Sequence, residues 1–176
     1  MEDGIIELEN IPDIFPLRAL EWSKSLNGFW NGMADTPVEK AVSCLMHAFD
    51  RPSNRQDTYS VMLWSLAGLE ALLCDSSSSI LYQIRRRAPL LGNAFNFKNL
   101  DNLISKGYNF RSRLFHGNVR IRNPIVEDDN MYDLKTYYES DADKYANFFL
   151  TLLSCALISC LQQGRLDIHF NEMLSG

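Results

Sequence analysis

"TPVEKAVSCLMHAFD", residues 36–50, reads as one complete helix with both ends marked. Thr36 can accept a hydrogen bond from a free backbone N–H. Pro37 suits the first helical position, where no N–H is needed, and Glu39 completes a capping box. Val38, Val42, Leu45, Met46 and Phe49 then recur at helical spacing and form an apolar stripe. The helix should stop near Asp50, because Pro52 disfavours helical backbone just before it. His47 lies off the centre of the stripe, at a surface or boundary position. An apolar stripe is buried only where other helices cover it, and the chain supplies them on both sides.

Downstream, "NRQDTYSVMLWSLAGLEALLCD" (54–75) repeats Met62, Leu66, Leu69 and Leu73 at spacings of four, three and four. Trp64, Ala71 and Leu72 widen its apolar arc, which predicts a central helix. Glu70 is the oddity there. A buried carboxylate needs a partner, and an arginine of the basic segment is the obvious one. The alternative is a Glu that faces solvent. "DSSSS" (75–79) is a polar linker that supplies an N-cap for "ILYQIRRRAPLL" (80–91). Ile80, Leu81, Ile84, Ala88 and Leu91 keep helical spacing in that segment, and Pro89 should bend or end the helix.

In "FKNLDNLISKGYNFRSRLFHGN" (97–118), Phe97, Leu100, Leu103 and Ile104 predict a short helix, with Gly107 as a break or kink. A second helical stretch runs from Tyr108 to His116, and Gly117 fits the left-handed position that ends many helices. "VRIRNPIVEDDN" (119–130) is a loop. The last element runs from near Asp128 to about Gln163, lined by Leu134, Tyr138, Tyr145, Phe149, Leu152, Ala156 and Leu157, with Gly164 as its stop. Its apolar run 148–161 is short for a bilayer and contains Ser and Thr, so it reads as a core helix and no membrane is expected. Before residue 36, "LRALEWSKSLNGFWNG" (17–32) can hold a short helix or two, and Phe29 and Trp30 read as an aromatic plug on a core edge, with a surface that covers a partner as the alternative. The tail after Gly164 adds at most a short helix, in which His169 is incidental. No strand alternation or internal repeat is visible. The expected architecture is an all-α bundle of about five main helices, with 1–35 as an extension packing on the domain 36–176.

With 176 residues, 46% hydrophobic and 22% charged, the chain has enough apolar content for one sizeable core. A net charge of −5 argues against a non-specific nucleic-acid coat. That charge is uneven. From Ile80 to Arg122 nine basic residues face one acid, leaving +8 there and −13 on the remainder. A local anion site explains this, and so does a scatter of cations over different faces. Cys44, Cys74, Cys155 and Cys160 form no C-x-x-C pair. They read as free thiols in a reducing, cytoplasmic setting, and no zinc or other metal ligand spacing is present. The acidic start "MEDGIIELEN" lacks the basic n-region of a signal peptide.

The chemistry concentrates in "YNFRSRLFHGN" (108–118), where Arg111, Arg113 and His116 stand together at a helix end. The plain reading is a solvated face with a C-terminal cap. The other is a site that handles phosphate. Arginine meets phosphate with a planar fork of donors, and histidine moves protons near neutral pH. Together they can cleave RNA without a metal, with the 2′-hydroxyl as nucleophile and arginine stabilising the charge on the phosphoryl group. At about 100° per residue, His116 lies about 60° from Arg113 and about 40° from Ser112, but about 140° from Arg111. Arg111 and His116 converge only if the helix end unwinds or a second copy completes the site.

"RSRLFH" resembles the R-x(4–6)-H signature of HEPN domains, and with the following glycine it is similar to the Apea-like group. The upstream "LEALL" element, the helix beginning "ILYQI" and the apolar C-terminal helix fit the same order, so the resemblance spans roughly 38–163. It implies an all-α domain, commonly a homodimer. It further implies a metal-independent ribonuclease, or an RNA-binding or scaffold protein, of defence, toxin–antitoxin or RNA-processing systems. Arg111 and His116 match the two signature positions and would be catalytic. Ser112 stands where many active members carry Asn, Asp or His, and Pro89 is a second departure. Arg113 and Glu70 are supporting candidates, and Arg85, Arg86, Arg120 and Arg122 are candidates to bind substrate. The implied partners are single-stranded RNA, a second copy of the chain and a protein regulator of the antitoxin kind, with no cofactor. The alternative is a non-catalytic helical interaction module, with Arg111 bonded to a carboxylate such as Glu70 and His116 acting as a cap.

Overall fold

A computed structural model of the chain describes residues 16–50, 58–91, 99–119, 132–168 and 170, with backbone alone over 132–140. Within these residues the fold is an all-α bundle: α1 (Pro16–Lys24), α2 (Asn27–Trp30), α3 (Pro37–Phe49), α4 (Thr58–Leu73), α5 (Ile80–Leu91), α6 (Leu100–Phe115) and α7 (Tyr132–Gln163). The last five are the main helices expected from the apolar periodicity. Helix α4 lies between α3 and α7, while α5 and α6 pack on each other and on α7. The core between them is built from Val38, Met62, Leu66, Leu69, Ile84, Ile104, Phe148, Phe149 and Leu153, all at most 1% exposed.

Local signals at the helix ends act as their chemistry requires. Thr36 accepts from the Glu39 N–H, and the Glu39 carboxylate accepts from the Thr36 N–H, so the capping box is complete. Glu39 does more than cap. Buried, it also accepts from the backbone N–H groups of Gly28 (2.7 Å) and Asp35 (3.0 Å), which ties the N-terminal segment to α3. These donors, Thr36 foremost, hold its carboxyl below the usual range against the opposing effect of burial. At the other end of α6, Asn118 N–H reaches Arg113 O (2.7 Å) and Gly117 N–H reaches Leu114 O (3.2 Å), a Schellman closure around Gly117 at φ 69°. Gly164, at φ 63°, ends α7 in the same way.

Several expectations are corrected by packing. Met46 and Phe49 are exposed, and the buried stripe of α3 turns toward Ala41 and Ala48 instead. The small residues let α3 and α4 close up: a Cβ added at Gly68 would come within 3.1 Å of Cys44 Cβ and 2.8 Å of Leu153 Cδ2. Trp64 sits at the edge and stacks on His47, with centroids 4.3 Å apart. Helix α5 continues past Pro89 to Leu91. Gly107 breaks nothing, and α6 runs unbroken through it. Its lack of a side chain is what lets the helix rest on the Phe149 ring, whose Cζ a Cβ would meet at 2.5 Å. The apolar part of α7 spans Asp141–Gln163, long and apolar enough by itself to cross a membrane, but 67% of its most apolar window is buried inside the bundle.

The aromatic plug is divided: Phe29 packs on the core, while Trp30 is 62% exposed. Leu26 beside it is buried, and α1 is tied to the end of α7 by Arg18 to Gln162 O (2.6 Å) and Trp22 to Arg165 O (3.0 Å). The expected side chains Phe97, Leu134 and Tyr138, His169 and positions 171–176 of the tail lie outside the described residues, as does nearly all of the 119–130 loop.

Candidate functional site

The close seating of α6 on α7 sets the position of everything after Gly107. Tyr108 is buried, with its ring edge-on to Phe149 at 6.1 Å. Its hydroxyl donates to Glu70 Oε1 at 2.9 Å. Burial first, and the Glu70 carboxylate next, push the Tyr108 hydroxyl far above its ordinary range, so it remains a proton donor to Glu70 at any working pH. One turn along α6, Arg111 brings Nη2 to 3.5 Å from the same Glu70 oxygen. Its guanidinium lies over the rings of Tyr108 (5.7 Å) and Phe115 (5.3 Å). Spacings of three and four place residues 108, 111 and 115 along one face, so the guanidinium is layered between two aromatic rings. The Arg111 side chain is still 34% exposed and that of Glu70 23%. Glu70 therefore has the arginine partner that a part-buried carboxylate needs.

His116 is exposed at the C-cap of α6. Its backbone N–H still donates to Ser112 O at 3.0 Å. The helical trace therefore holds through its Cα, and the helix end does not unwind before it. Arg111 and His116 of one chain thus keep their offset of about 140°. Ser112 and Arg113 are also exposed. Arg113 is near enough to Tyr145 to oppose the rise that burial and Asp141 impose on that hydroxyl.

The other arginines of the basic segment diverge. Arg85 grips Asp101 through Nε to Oδ1 and through Nη2 to Oδ2 (2.6 Å). Asp101 stands ten residues before Arg111 on α6, about 15 Å away along the axis. Arg86 donates to Tyr82 OH at 2.7 Å. Arg87, 3% exposed, donates to Leu73 O (2.7 Å), Gln83 Oε1 (2.8 Å) and Asp75 Oδ2 (2.9 Å). Gln83 in turn donates to Ser76 and Ser78, so this pair of polar side chains pins the serine linker. Ser79 takes a left-handed backbone (φ 55°) just before α5. Arg85 is thus engaged at the opposite end of α6 from Arg111, Arg86 bonds within α5, and Arg120 and Arg122 lie outside the described residues.

Among the described residues no three of His, Cys, Asp and Glu come together as a metal site. The cysteines are free thiols, and burial pushes Cys74, Cys155 and Cys160 up to about 11. Tyr108 and Phe115 are site residues that the charge pattern alone did not single out. Their spacing from Arg111 was visible, but the meeting with Glu70 depends on the fold bringing the end of α4 within side-chain reach of α6. No family model, curated protein or solved structure matches the chain.

Proposed function

We propose that this chain is a HEPN-like domain that binds and cleaves single-stranded RNA without a metal, as a two-fold dimer with a composite Arg111/His116 site. The observation that carries the reading is the arrangement at the end of α6. Arg111 is held by a carboxylate and two rings yet is one-third exposed, and the exposed His116 follows on the same helix but faces about 140° away. That offset points the two side chains apart within one chain, and a two-fold copy would supply an imidazole to each Arg111.

In this scheme one imidazole takes the proton of the 2′-hydroxyl as its oxygen attacks phosphorus. The second imidazole protonates the departing 5′-oxygen. The products are a 2′,3′-cyclic phosphate and a 5′-hydroxyl, and DNA resists. Arg111 donates to the phosphoryl oxygens as charge grows on them. Ser112 and Arg113, both exposed on α6, are the supporting candidates to contact the strand. Free thiols fit a reducing, cytoplasmic setting, and a toxin-type or defence role would add a protein regulator.

The test is purified protein with single-stranded RNA in EDTA. Wild type should leave cyclic phosphate ends, and His116→Ala should slow cleavage by about a hundredfold or more while the helical spectrum is unchanged. Equal cleavage by the variant removes His116 from the mechanism. A second reading, a non-catalytic interaction module, is favoured by the Arg111–Glu70 pair within one chain and by the cap position of His116. It predicts neither cleavage nor RNA binding.

A further inference from the structure

Phe115 is the last residue of α6 and is 63% exposed, although a large apolar ring at a helix end is easily buried or replaced by a polar group. It is not an isolated ring. The Arg111 guanidinium covers it at 5.3 Å from the centroid, and the cation is backed in turn by Tyr108. Arg111 is 3.5 Å from Glu70 yet keeps a third of its side chain exposed, and the exposed His116 follows Phe115 directly. An exposed aromatic ring beside a partly exposed guanidinium is a pairing that can hold a single strand: the cation takes the phosphate and the ring takes the base.

We infer that Phe115 is a stacking platform for an unpaired nucleobase next to the phosphate bound by Arg111. This rests on the RNA-binding reading above and narrows it to strands whose base is free to leave a duplex. A paired base has both faces occupied by its neighbours and offers none to the ring. Stacking tolerates any base, so Phe115 contributes affinity for single strands with little sequence preference.

The experiment compares a short single-stranded 2′-O-methyl RNA, which lacks the attacking hydroxyl and stays intact, with an abasic oligonucleotide of the same backbone, length and phosphate count. Binding is read by fluorescence anisotropy in EDTA with the full chain. Wild type should prefer the intact strand. Phe115→Ala should lower affinity for it by about five- to a hundredfold and leave the abasic strand unchanged. Phe115→Trp should retain the preference. If Phe115→Ala binds both strands as wild type does, the platform is refuted while RNA binding stands. If the variant loses both strands equally and its solution mass halves, Phe115 holds two copies together and the platform is likewise refuted. If wild type binds neither strand, the RNA-binding reading itself fails.

Discussion

Gly107→Ala isolates the contact on which the site depends. Alanine is the better helix former by about 1 kcal/mol, so on an open helix the change would stabilise. Here the new Cβ would lie 2.5 Å from Phe149 Cζ and 3.3 Å from Tyr145 Cδ1. Carbon atoms prefer about 3.5–4.0 Å, so the overlap with Phe149 is about 1 Å. The Phe149 ring cannot yield: it is fully buried, tilted on Phe148 at 5.0 Å and edge-on to Tyr108 at 6.1 Å. Overpacking of a rigid core costs about 1–3 kcal/mol, and blocked relaxation puts this site at the upper end. Subtracting the helical gain leaves a net loss of about 2 kcal/mol. For a domain of this size that lowers the melting temperature by roughly 4–8 °C. Urea unfolding followed by circular dichroism measures it. Adding Phe149→Leu should recover more than about 1 kcal/mol of coupling, because the clash is pairwise. If Gly107→Ala melts at or above the wild-type temperature, α6 does not rest on Phe149 and the placement of Tyr108 and Arg111 loses its basis.

Two further perturbations address other contacts. Glu39 has a lowered carboxyl pKa, chiefly from the Thr36 N–H, so its stabilisation is full above the unfolded-state value and fades as pH falls through the folded-state value. The stability gap between wild type and Glu39→Gln should therefore be largest near neutrality and shrink toward pH 3; a gap that widens on acidification would contradict the three-donor cradle. Arg87→Met should cost about 2–4 kcal/mol in urea titrations, because Leu73 O and Gln83 Oε1 lose a buried donor. Arg87→Lys should recover little, since a single ammonium cannot span that fork of acceptors. A loss below about 1 kcal/mol would mean that the linker is held by other contacts.

The sequence by itself determined the helices and many of their ends. Apolar residues at helical spacing, the Thr36–Glu39 box and the glycines at 117 and 164 act through bonds that reach five residues at most, so their outcome is decided wherever the segment sits. Arg111 and His116 could likewise be picked out as an arginine and a histidine near a helix end. The tertiary structure alone decided the rest. Gly107 looks like a break until Phe149 arrives from α7, and Met46 and Phe49 look like core until α3 turns its alanines to α4. Three adjacent arginines look alike, yet Arg87 enters the interior while Arg85 pairs across to α6. Glu70 acquires Tyr108 and Arg111 only because the tertiary fold brings the end of α4 within side-chain reach of α6. Those outcomes rest on contacts between segments far apart in the chain, whose energies depend on which surfaces meet and not on local spacing.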